Sequence, residues 1–453
     1  MEVVPVTHGS TNQFATKPAR RRRPLQRRSH RFALVAGTVG QIYAGYKGIQ
    51  LVEKLLGAER VRWMYRRQHA ASAQAIYRTA VRLEGLLIKA CQFLGTRADL
   101  LPHEYIETLS QLHDRVPPRS FDSVLAPLVE KELGKPLREV FADWDPSPLA
   151  SASLAQVHRA RLRDGREVVI KVQYPEIAQL VEADLANLRF LFGVLARLER
   201  NLDLRIVLRE IQRHVPLELD FQNEARNADR IRQNLSDRTD VLVPRVVWEL
   251  TTRRVLVLEY LEGIKITHVQ ELDRAGIDRN AVARLLTDVF CQQILRDGFF
   301  HADPHPGNIL VQPGPRIVLL DFGLAKALPS GFQIGLAQLA GAILTQNRVA
   351  AAEAFRTLGF RTKNDNPETL IALGDAFLGH VARSGKAYAD RELVEMIRDN
   401  IVQVLRENPL VDVPSDILLV LRVMGLLSGI GKQLHAHIDL LQVMLPHVVG
   451  TSP

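Results

Sequence analysis

Two carboxylates and one amide in the C-terminal half of the chain stand at spacings that suit phosphoryl transfer. Asp303 and Asn308 form a D-x-x-x-x-N pattern, and Asp321 opens an Asp-Phe-Gly tripeptide shortly after them. One carboxylate can take or orient the proton of an acceptor group, while an amide oxygen and a second carboxylate can hold the magnesium ions that bridge nucleotide phosphates. The pattern predicts Asp303 as the catalytic residue and Asn308 and Asp321 as the metal ligands.

A predicted hairpin connects the two parts of this pattern. Residues 309–312 and 316–320 are rich in aliphatic side chains and flank the sequence Pro-Gly-Pro, which is typical of a turn between two strands. Such a hairpin would hold Asn308 and Asp321 against one nucleotide. Protein-kinase-like enzymes have the same order of groups. The alternative is a polar loop followed by an accidental Asp-Phe-Gly.

A lysine in an earlier strand pattern could reach the phosphates of the same nucleotide. Lys171 ends the sequence Val-Val-Ile-Lys, which resembles the Val-Ala-Ile-Lys strand of kinases, where the lysine contacts the α- and β-phosphates. The alternative is a solvated lysine at a strand edge. Residues 255–263 have an extended apolar pattern that suits a hinge against adenine, which places Glu259 among the predicted ATP-binding residues.

The loop before the lysine strand contains no glycine. Where kinases have a glycine-rich phosphate loop, this chain has Ala150, Ser151, Ala152 and Ser153. Small side chains still let backbone N–H groups approach phosphate, but alanine does not readily take the positive φ values of glycine. We therefore expect a stiffer ATP-binding loop, with an ordinary turn as the alternative.

Four longer motifs resemble one family. They are Ala-Ser-Ala-Ser-Leu-Ala-Gln-Val-His-Arg-Ala at 150–160, Lys-Val-Gln-Tyr-Pro at 171–175, Glu-Leu-Asp-Phe-Gln-Asn-Glu-Ala at 218–225, and His-Ala-Asp-Pro-His-Pro-Gly-Asn at 301–308. These motifs look like those of the UbiB (AarF/COQ8-like) atypical kinase family, and the resemblance runs from about residue 60 to about residue 440. It implies that Glu224 pairs with Lys171 and that the cofactors are ATP and Mg²⁺.

The resemblance also implies a gate over the substrate site. The family has a helix with the motif Lys-x-Gly-Gln, whose lysine meets the acids of a Glu-x-Asp segment. Here the helix has Lys89 and Gln92, with Cys91 in place of the glycine, and the acids are Glu218 and Asp220. The alternative is a surface lysine and two solvated acids.

Composition and charge restrict the partners. The chain has 453 residues, a net charge of +9 and two cysteines, which favour a reducing compartment over a disulfide framework. Most of the excess charge lies in residues 17–31, which contain eight lysines and arginines and no acid. This tail could contact anionic lipid or stay solvated. Few aromatic residues accompany the arginines, which argues against nucleic acid.

The same features suggest a peripheral rather than a spanning membrane protein. The apolar stretch at 32–46 is too short for a transmembrane helix, and the stretch at 417–430 is interrupted by Arg422. We expect a cytoplasmic protein attached peripherally to the inner face of a membrane. An organellar transit peptide is the alternative for the arginine-rich start.

We expect an α+β, bilobal protein-kinase-like fold with an N-terminal helical extension and a helix-rich C-lobe. The predicted divisions are a disordered basic tail at 1–31, a helical extension at 32–145, an N-lobe with a helical insert at 146–262 and a helical C-lobe at 263–445.

The predicted function is an atypical kinase or ATPase that binds Mg-ATP and, by the resemblance, supports isoprenoid-lipid or quinone metabolism at a membrane. No Ala-Pro-Glu signature follows Gly323, which argues against a protein substrate and for a small-molecule or lipid acceptor. The alternatives are a non-catalytic, nucleotide-gated lipid-binding scaffold, an aminoglycoside- or choline-type phosphotransferase and a nucleic-acid binder that uses the basic tail.

Overall fold

The computed structural model describes residues 28–94, 101–109, 111–112, 118–198, 211–212, 217–362, 368–371, 410–412, 414–438 and 440–449. The chain separates into two compact units. One comprises the described residues of 1–95, 101–112 and 178–208, and the other those of 113–177 and 209–453. Each unit has a buried apolar core of its own.

The first unit is helical. Its helices are α1 (Arg28–Leu56), α2 (Ala58–Leu83), α3 (Leu86–Leu94), α4 (His103–Leu109) and, after part of the other unit, α7 (Ile177–Leu198). Apolar residues recur at helical spacing along α2, and they pack on α1, α3, α4 and α7 to form the core. Among its members are Val35, Ala73, Ala80, Leu83, Leu87, Cys91, Tyr105, Leu109, Leu188 and Leu191.

The start of α1 corrects the predicted boundary of the basic tail. Residues 1–27 lie outside the described part of the chain, but Arg28 begins α1, so the predicted tail at 1–31 overlaps the fold. Arg31 is buried and forms an ion pair with Asp184 of α7, and its Nη1 donates to the carbonyl of Leu83 at 2.6 Å. A carboxylate on a distant helix holds this arginine inside the unit, which its neighbours in sequence could not reveal.

Within the described residues, none of the helices combines the length and the apolar character that are needed to cross a membrane.

The second unit begins with the elements around the lysine strand. After a π-helical turn (Phe121–Leu125) come α5 (Ala126–Leu133), α6 (Leu137–Val140), and strands β1 (Phe141–Trp144), β2 (Ala150–Ser151), β3 (Ala155–Leu162) and β4 (Glu167–Gln173). Strand β6 (Val255–Glu259) completes an antiparallel sheet of order β1-β3-β4-β6, with β2 paired to β3. Helix α8 (Phe221–Asn234) packs on it through an apolar cluster that includes Phe221, Ala225 and Leu256.

The rest of the second unit is built on a smaller sheet and a layer of helices. Strands β5 (Val241–Leu242), β7 (Ile264–Lys265), β9 (Ile309–Gln312) and β10 (Arg316–Leu319) form a sheet of order β5-β10-β9-β7, and β8 (Phe299–His301) pairs with β11 (Ala325–Ala327). The helices are α9 (Val269–Arg274), α10 (Arg279–Cys291), continued by a π-helical turn (Gln292–Arg296), α11 (Phe332–Leu344), α12 (Arg348–Thr357), α13 (Ser415–Gln433) and α14 (Leu440–Val449). Strands β12 (Arg361–Thr362) and β13 (Leu410–Asp412) pair with each other.

The helical insert between β4 and α8 differs from its predicted place. The sequence analysis puts the helical insert in the N-lobe at 146–262, but the described residues of 178–208 group with the helical unit. The apolar residues Leu188 and Leu191 of α7 pack into that unit's core, which explains the grouping. Helix α8, at the end of the insert, packs against the sheet.

Candidate functional site

Lys171, Glu224 and Asp321 come together in the second unit. Lys171 lies in β4, and its Nζ donates to both carboxylate oxygens of Glu224, at 2.8 and 2.9 Å. The same Nζ lies 3.4 Å from Oδ2 of Asp321. Glu224 is 4% exposed, whereas half of the Asp321 side chain is accessible. The ion pair of Lys171 and Glu224 that the resemblance implied is present. It holds the Lys171 ammonium group beside the exposed carboxylate of Asp321.

The backbone at Asp321 is unusual and is held from both sides. Asp321 has a φ of 57°, in the left-handed region that few non-glycine residues adopt. The preceding Leu320 donates its N–H to the carbonyl of Asn308 at 2.8 Å, and Asn227 of α8 donates its side-chain N–H to the carbonyl of Phe322 at 3.0 Å. Such conformations often occur at functional sites, where the surrounding structure maintains the strain.

Gly323 leaves room for this carboxylate. A Cβ added at Gly323 would lie 3.3 Å from Oδ1 of Asp321 and 3.9 Å from Oε2 of Glu224. The Gly323 N–H itself donates to Oδ1 of Asp321 at 3.3 Å. A side chain here would therefore crowd the Asp321 carboxylate.

The hairpin of β9 and β10 positions Asn308 as the sequence predicts. Asn308 ends a short 3₁₀ turn (Pro306–Asn308) and immediately precedes β9. The antiparallel register pairs Ile309 with Leu319, so Asn308 stands opposite Leu320, one residue from Asp321. The turn uses Gly314 with a φ of 130°, a value suited to glycine.

A buried histidine connects the loop of Asp303 with the loop of Asp321. His301 is 2% exposed, and its Nδ1 accepts a hydrogen bond from the Asp303 N–H at 3.1 Å. Its Nε2 lies 3.2 Å from the carbonyl of Leu320, to which it donates, because a carbonyl can only accept. The imidazole also packs on Phe322, with ring centroids 5.4 Å apart. His301 therefore acts as a bridge that fixes the backbone of both loops.

The candidate metal ligands suit a magnesium ion that a nucleotide also binds better than an ion held by protein side chains alone. Among the described residues, no group of three or more His, Cys, Asp or Glu side chains could hold a metal ion. Asn308 and Asp321 would supply an amide oxygen and a carboxylate. These are ligands that Mg²⁺ accepts when phosphates and water complete its coordination.

The glycine-free loop is a tight turn fixed by a tyrosine. Ala150 and Ser151 form β2, and Ala152 donates its N–H to the carbonyl of Ala155 at 2.8 Å. The Ser151 hydroxyl lies 2.9 Å from the hydroxyl of Tyr174, a side chain that is 1% exposed. In this loop, which the structure describes completely, all φ values are outside the left-handed region. Ser153 is buried. Phosphate binding by this loop stays a prediction.

Glu259 has a structural contact in the predicted hinge. It ends β6, and its Oε2 accepts a hydrogen bond from the backbone N–H of Arg245 at 3.2 Å. The carboxylate therefore ties β6 to the preceding segment. Its predicted place among the adenine-binding residues remains a prediction.

The predicted gating residues belong to both units. Lys89 and Gln92 lie on α3, and Cys91 on that helix is 5% exposed, in the core of the helical unit, where burial raises the pKa of its thiol to about 12. In the other unit, Asp220 caps α8, because its Oδ1 accepts a hydrogen bond from the N–H of Gln222 at 3.0 Å. Glu218 precedes it and is half-buried. The gating role of these residues stays a prediction.

Two ion pairs from helix α13 were not anticipated from the sequence. Arg422 donates through Nη2 to Oδ1 of Asp303 at 2.9 Å, and Asp416 lies 3.0 Å from Nζ of Lys326, which follows the Asp-Phe-Gly turn. For Arg422 the sequence offered one signal, a charged residue in the middle of an apolar stretch. The sequence analysis used it only as evidence against a membrane-spanning helix.

These features have the arrangement of the protein-kinase-like class. A strand lysine paired with a helix glutamate, an aspartate before an asparagine, and an Asp-Phe-Gly turn on the next hairpin are the recurring parts of that class. In comparisons with known proteins, residues 111–355 match the ABC1 atypical kinase-like domain. The chain belongs to this family, the UbiB family, as its motifs indicate.

Named relatives are similar over most of the chain. AarF domain-containing protein kinase 1 of Xenopus tropicalis is 35% identical over 384 residues, which cover 82% of this chain and 72% of the relative. The chloroplastic protein ACTIVITY OF BC1 COMPLEX KINASE 8 of Arabidopsis thaliana is 33% identical and is covered over 52% of its length, against 82% of this chain.

A solved structure also has this fold. The structure of Rv3197 from Mycobacterium tuberculosis, determined as a complex with erythromycin, aligns with a TM-score of 0.57 and 25% sequence identity, covering 85% of this chain and 97% of that one. The predicted α+β, kinase-like fold class is confirmed.

Proposed function

We propose that this protein is an atypical kinase or ATPase that binds Mg-ATP and supports isoprenoid-lipid or quinone metabolism at a membrane. The observation that carries the proposal is the contact of Lys171 with both Glu224 and Asp321. In this arrangement Lys171 would bind the α- and β-phosphates, and Asp321 and Asn308 would hold magnesium. Asp303 would orient the acceptor or take its proton.

The segment after the Asp-Phe-Gly turn supports a small acceptor. In protein kinases a long activation segment follows this turn and docks peptide substrates. Here β11 (Ala325–Ala327) pairs directly with β8, and α11 begins at Phe332. The short segment between β11 and α11 leaves little backbone that could form a docking surface for a peptide substrate.

The hairpin of α1 and α2 supports a membrane location. Its tip turns at Gly57, and large apolar side chains there are exposed, including Leu55 at 84% and Trp63 at 60%. Exposed basic residues accompany them on α2, namely Arg60, Arg62, Arg66 and Arg67. Apolar side chains next to arginines favour an anionic lipid surface, at roughly 1 kcal/mol for each basic residue.

The proposal is tested by ATP turnover with purified protein on vesicles that contain anionic lipid and candidate isoprenoid acceptors. We expect magnesium-dependent ATP turnover that falls by about a hundredfold in Asp303→Asn, because a positioned base contributes 10²–10⁴-fold. Asp303→Asn should still bind Mg-ATP, whereas Asp321→Ala should not. If Asp303→Asn restores growth of a deletion strain and Asp321→Ala does not, the protein is a nucleotide-gated scaffold rather than an enzyme.

A further inference from the structure

Helix α13 is largely apolar, but a charged side chain in its middle, Arg422, contacts the loop of Asp303. Its residues Val420, Val423 and Leu427 are almost fully buried and pack into the core of the second unit. Arg422 lies on the flank of that stripe, and its side chain is 20% exposed. Desolvating an arginine is costly unless a charged partner compensates, so the position calls for a specific role.

The partner of Arg422 is the carboxylate that the proposed reaction needs. Its Nη2 donates to Oδ1 of Asp303 at 2.9 Å, and the Asp303 side chain is 35% exposed. The backbone of Asp303 is fixed separately, because its N–H donates to His301 and its carbonyl accepts from the N–H of His305 at 2.6 Å. The backbone contacts place the residue, and the arginine sets the direction of the carboxylate.

We propose that Arg422 is a positioning residue, which holds Oδ1 of Asp303 so that Oδ2 faces the acceptor of the reaction. This inference rests on the proposed function. A guanidinium group can hold a carboxylate in a defined plane more tightly than an ammonium group can. Helix α13, in the C-terminal part of the chain, would therefore supply a contact that orients the carboxylate of Asp303.

The second ion pair of α13 provides a matched control. Asp416 contacts Lys326 at 3.0 Å, so it also joins α13 to the segment after the Asp-Phe-Gly turn, but it does not contact Asp303. If α13 acted only by stabilising the fold, losing either ion pair would have a similar effect. If Arg422 orients Asp303, only the loss of Arg422 would lower turnover.

The experiment measures kcat and KM for Mg-ATP turnover, together with Mg-ATP binding, in the full-length wild type, Arg422→Gln, Arg422→Lys and Asp416→Asn. We expect Arg422→Gln to lower kcat by about tenfold with KM changed less than about twofold, because small displacements of a catalytic group have such effects. Arg422→Lys should recover part of kcat, and Asp416→Asn should retain turnover within about twofold. Arg422→Gln should cause little further loss in an Asp303→Asn background.

Each contrary result has a separate meaning. If the wild type neither binds nor turns over Mg-ATP, the proposed function fails. If the wild type is active and Arg422→Gln has the same kcat, the positioning role is wrong. That role is also wrong if Arg422→Gln raises KM as much as it lowers kcat, if Asp416→Asn loses as much turnover, or if Arg422→Gln lowers the residual rate of Asp303→Asn tenfold. Melting temperatures identify any variant that fails to fold.

Discussion

The ion pair of Lys171 and Glu224 allows a quantitative test, because one partner is buried and the other is nearly so. Replacing Lys171 with methionine keeps the length of the side chain but leaves the Glu224 carboxylate, which is 4% exposed, without its two hydrogen bonds from Nζ. Breaking a buried pair from one side costs about 3–5 kcal/mol. Since the Lys171 side chain is 16% exposed and water can reach it, we expect the lower end, about 3 kcal/mol.

The double variant separates the ion pair from packing. Lys171→Met with Glu224→Gln removes both charges and leaves two neutral side chains of similar shape. We expect it to lie within about 1 kcal/mol of the wild type, so that the double variant loses much less stability than the two single variants together. Glu224→Gln alone should lose an amount of stability between that of the double variant and that of Lys171→Met, because the amide oxygen still accepts one hydrogen bond from Lys171.

The assay is thermal unfolding of the four proteins, followed by a probe in the second unit. At roughly 2–4 °C for each kcal/mol, Lys171→Met should melt about 6–12 °C below the wild type, and the double variant should recover most of that loss. If the double variant lost as much melting temperature as the two single variants together, the two side chains would not share a buried ion pair. Mg-ATP should raise the melting temperature of the wild type and not that of Lys171→Met.

Two further predictions concern a titrating acid and the loop before β3. Burial raises the pKa of Asp297 to about 6, against a smaller opposing effect of Arg296. The folded state therefore holds a proton that the unfolded chain releases, and stability should fall as the pH rises from about 4 to 6. Asp297→Asn should stabilise the protein at pH 7 by about 1 kcal/mol, a figure reduced for partial solvent exposure, and the gain should vanish below pH 4 in chemical denaturation. A gain of equal size at pH 4 and pH 7 would contradict this reasoning. Tyr174→Phe removes the hydroxyl that lies 2.9 Å from that of Ser151, and it should raise the KM for Mg-ATP several-fold while kcat changes little. Tyr65→Phe, an exchange of the same kind in the helical unit, where the hydroxyl donates to Glu53 at 2.6 Å, is the control, and an equal rise in KM there would count against a specific role for Tyr174.

Much of the second unit could be predicted because its signals are local. The strand Ile309–Gln312 has the predicted bounds, and the predicted lysine strand is present as Glu167–Gln173, since branched aliphatic residues and the flanking turn residues mark such strands. The D-x-x-x-x-N spacing and the Asp-Phe-Gly turn likewise led to Asp303, Asn308 and Asp321, because a hairpin must bring its two ends together.

The contacts that the sequence did not reveal join distant segments. Arg31 pairs with Asp184, and Arg422 pairs with Asp303, which lie far apart in the chain. Each arginine was interpreted from its neighbours, as part of a basic tail or as a break in an apolar helix. Which carboxylate meets a given arginine depends on tertiary packing, and local patterns contain no information about it.

The central claim is that Lys171, Glu224, Asn308 and Asp321 surround one magnesium nucleotide. Titration calorimetry of ATP into the wild type and Asp321→Ala, each with magnesium and with EDTA, tests it most directly. We expect the wild type to bind ATP with magnesium and to lose most of the affinity in EDTA, and Asp321→Ala to bind weakly in both. Equal ATP affinity in the wild type and Asp321→Ala, or no binding by the folded wild type with magnesium, would contradict the claim.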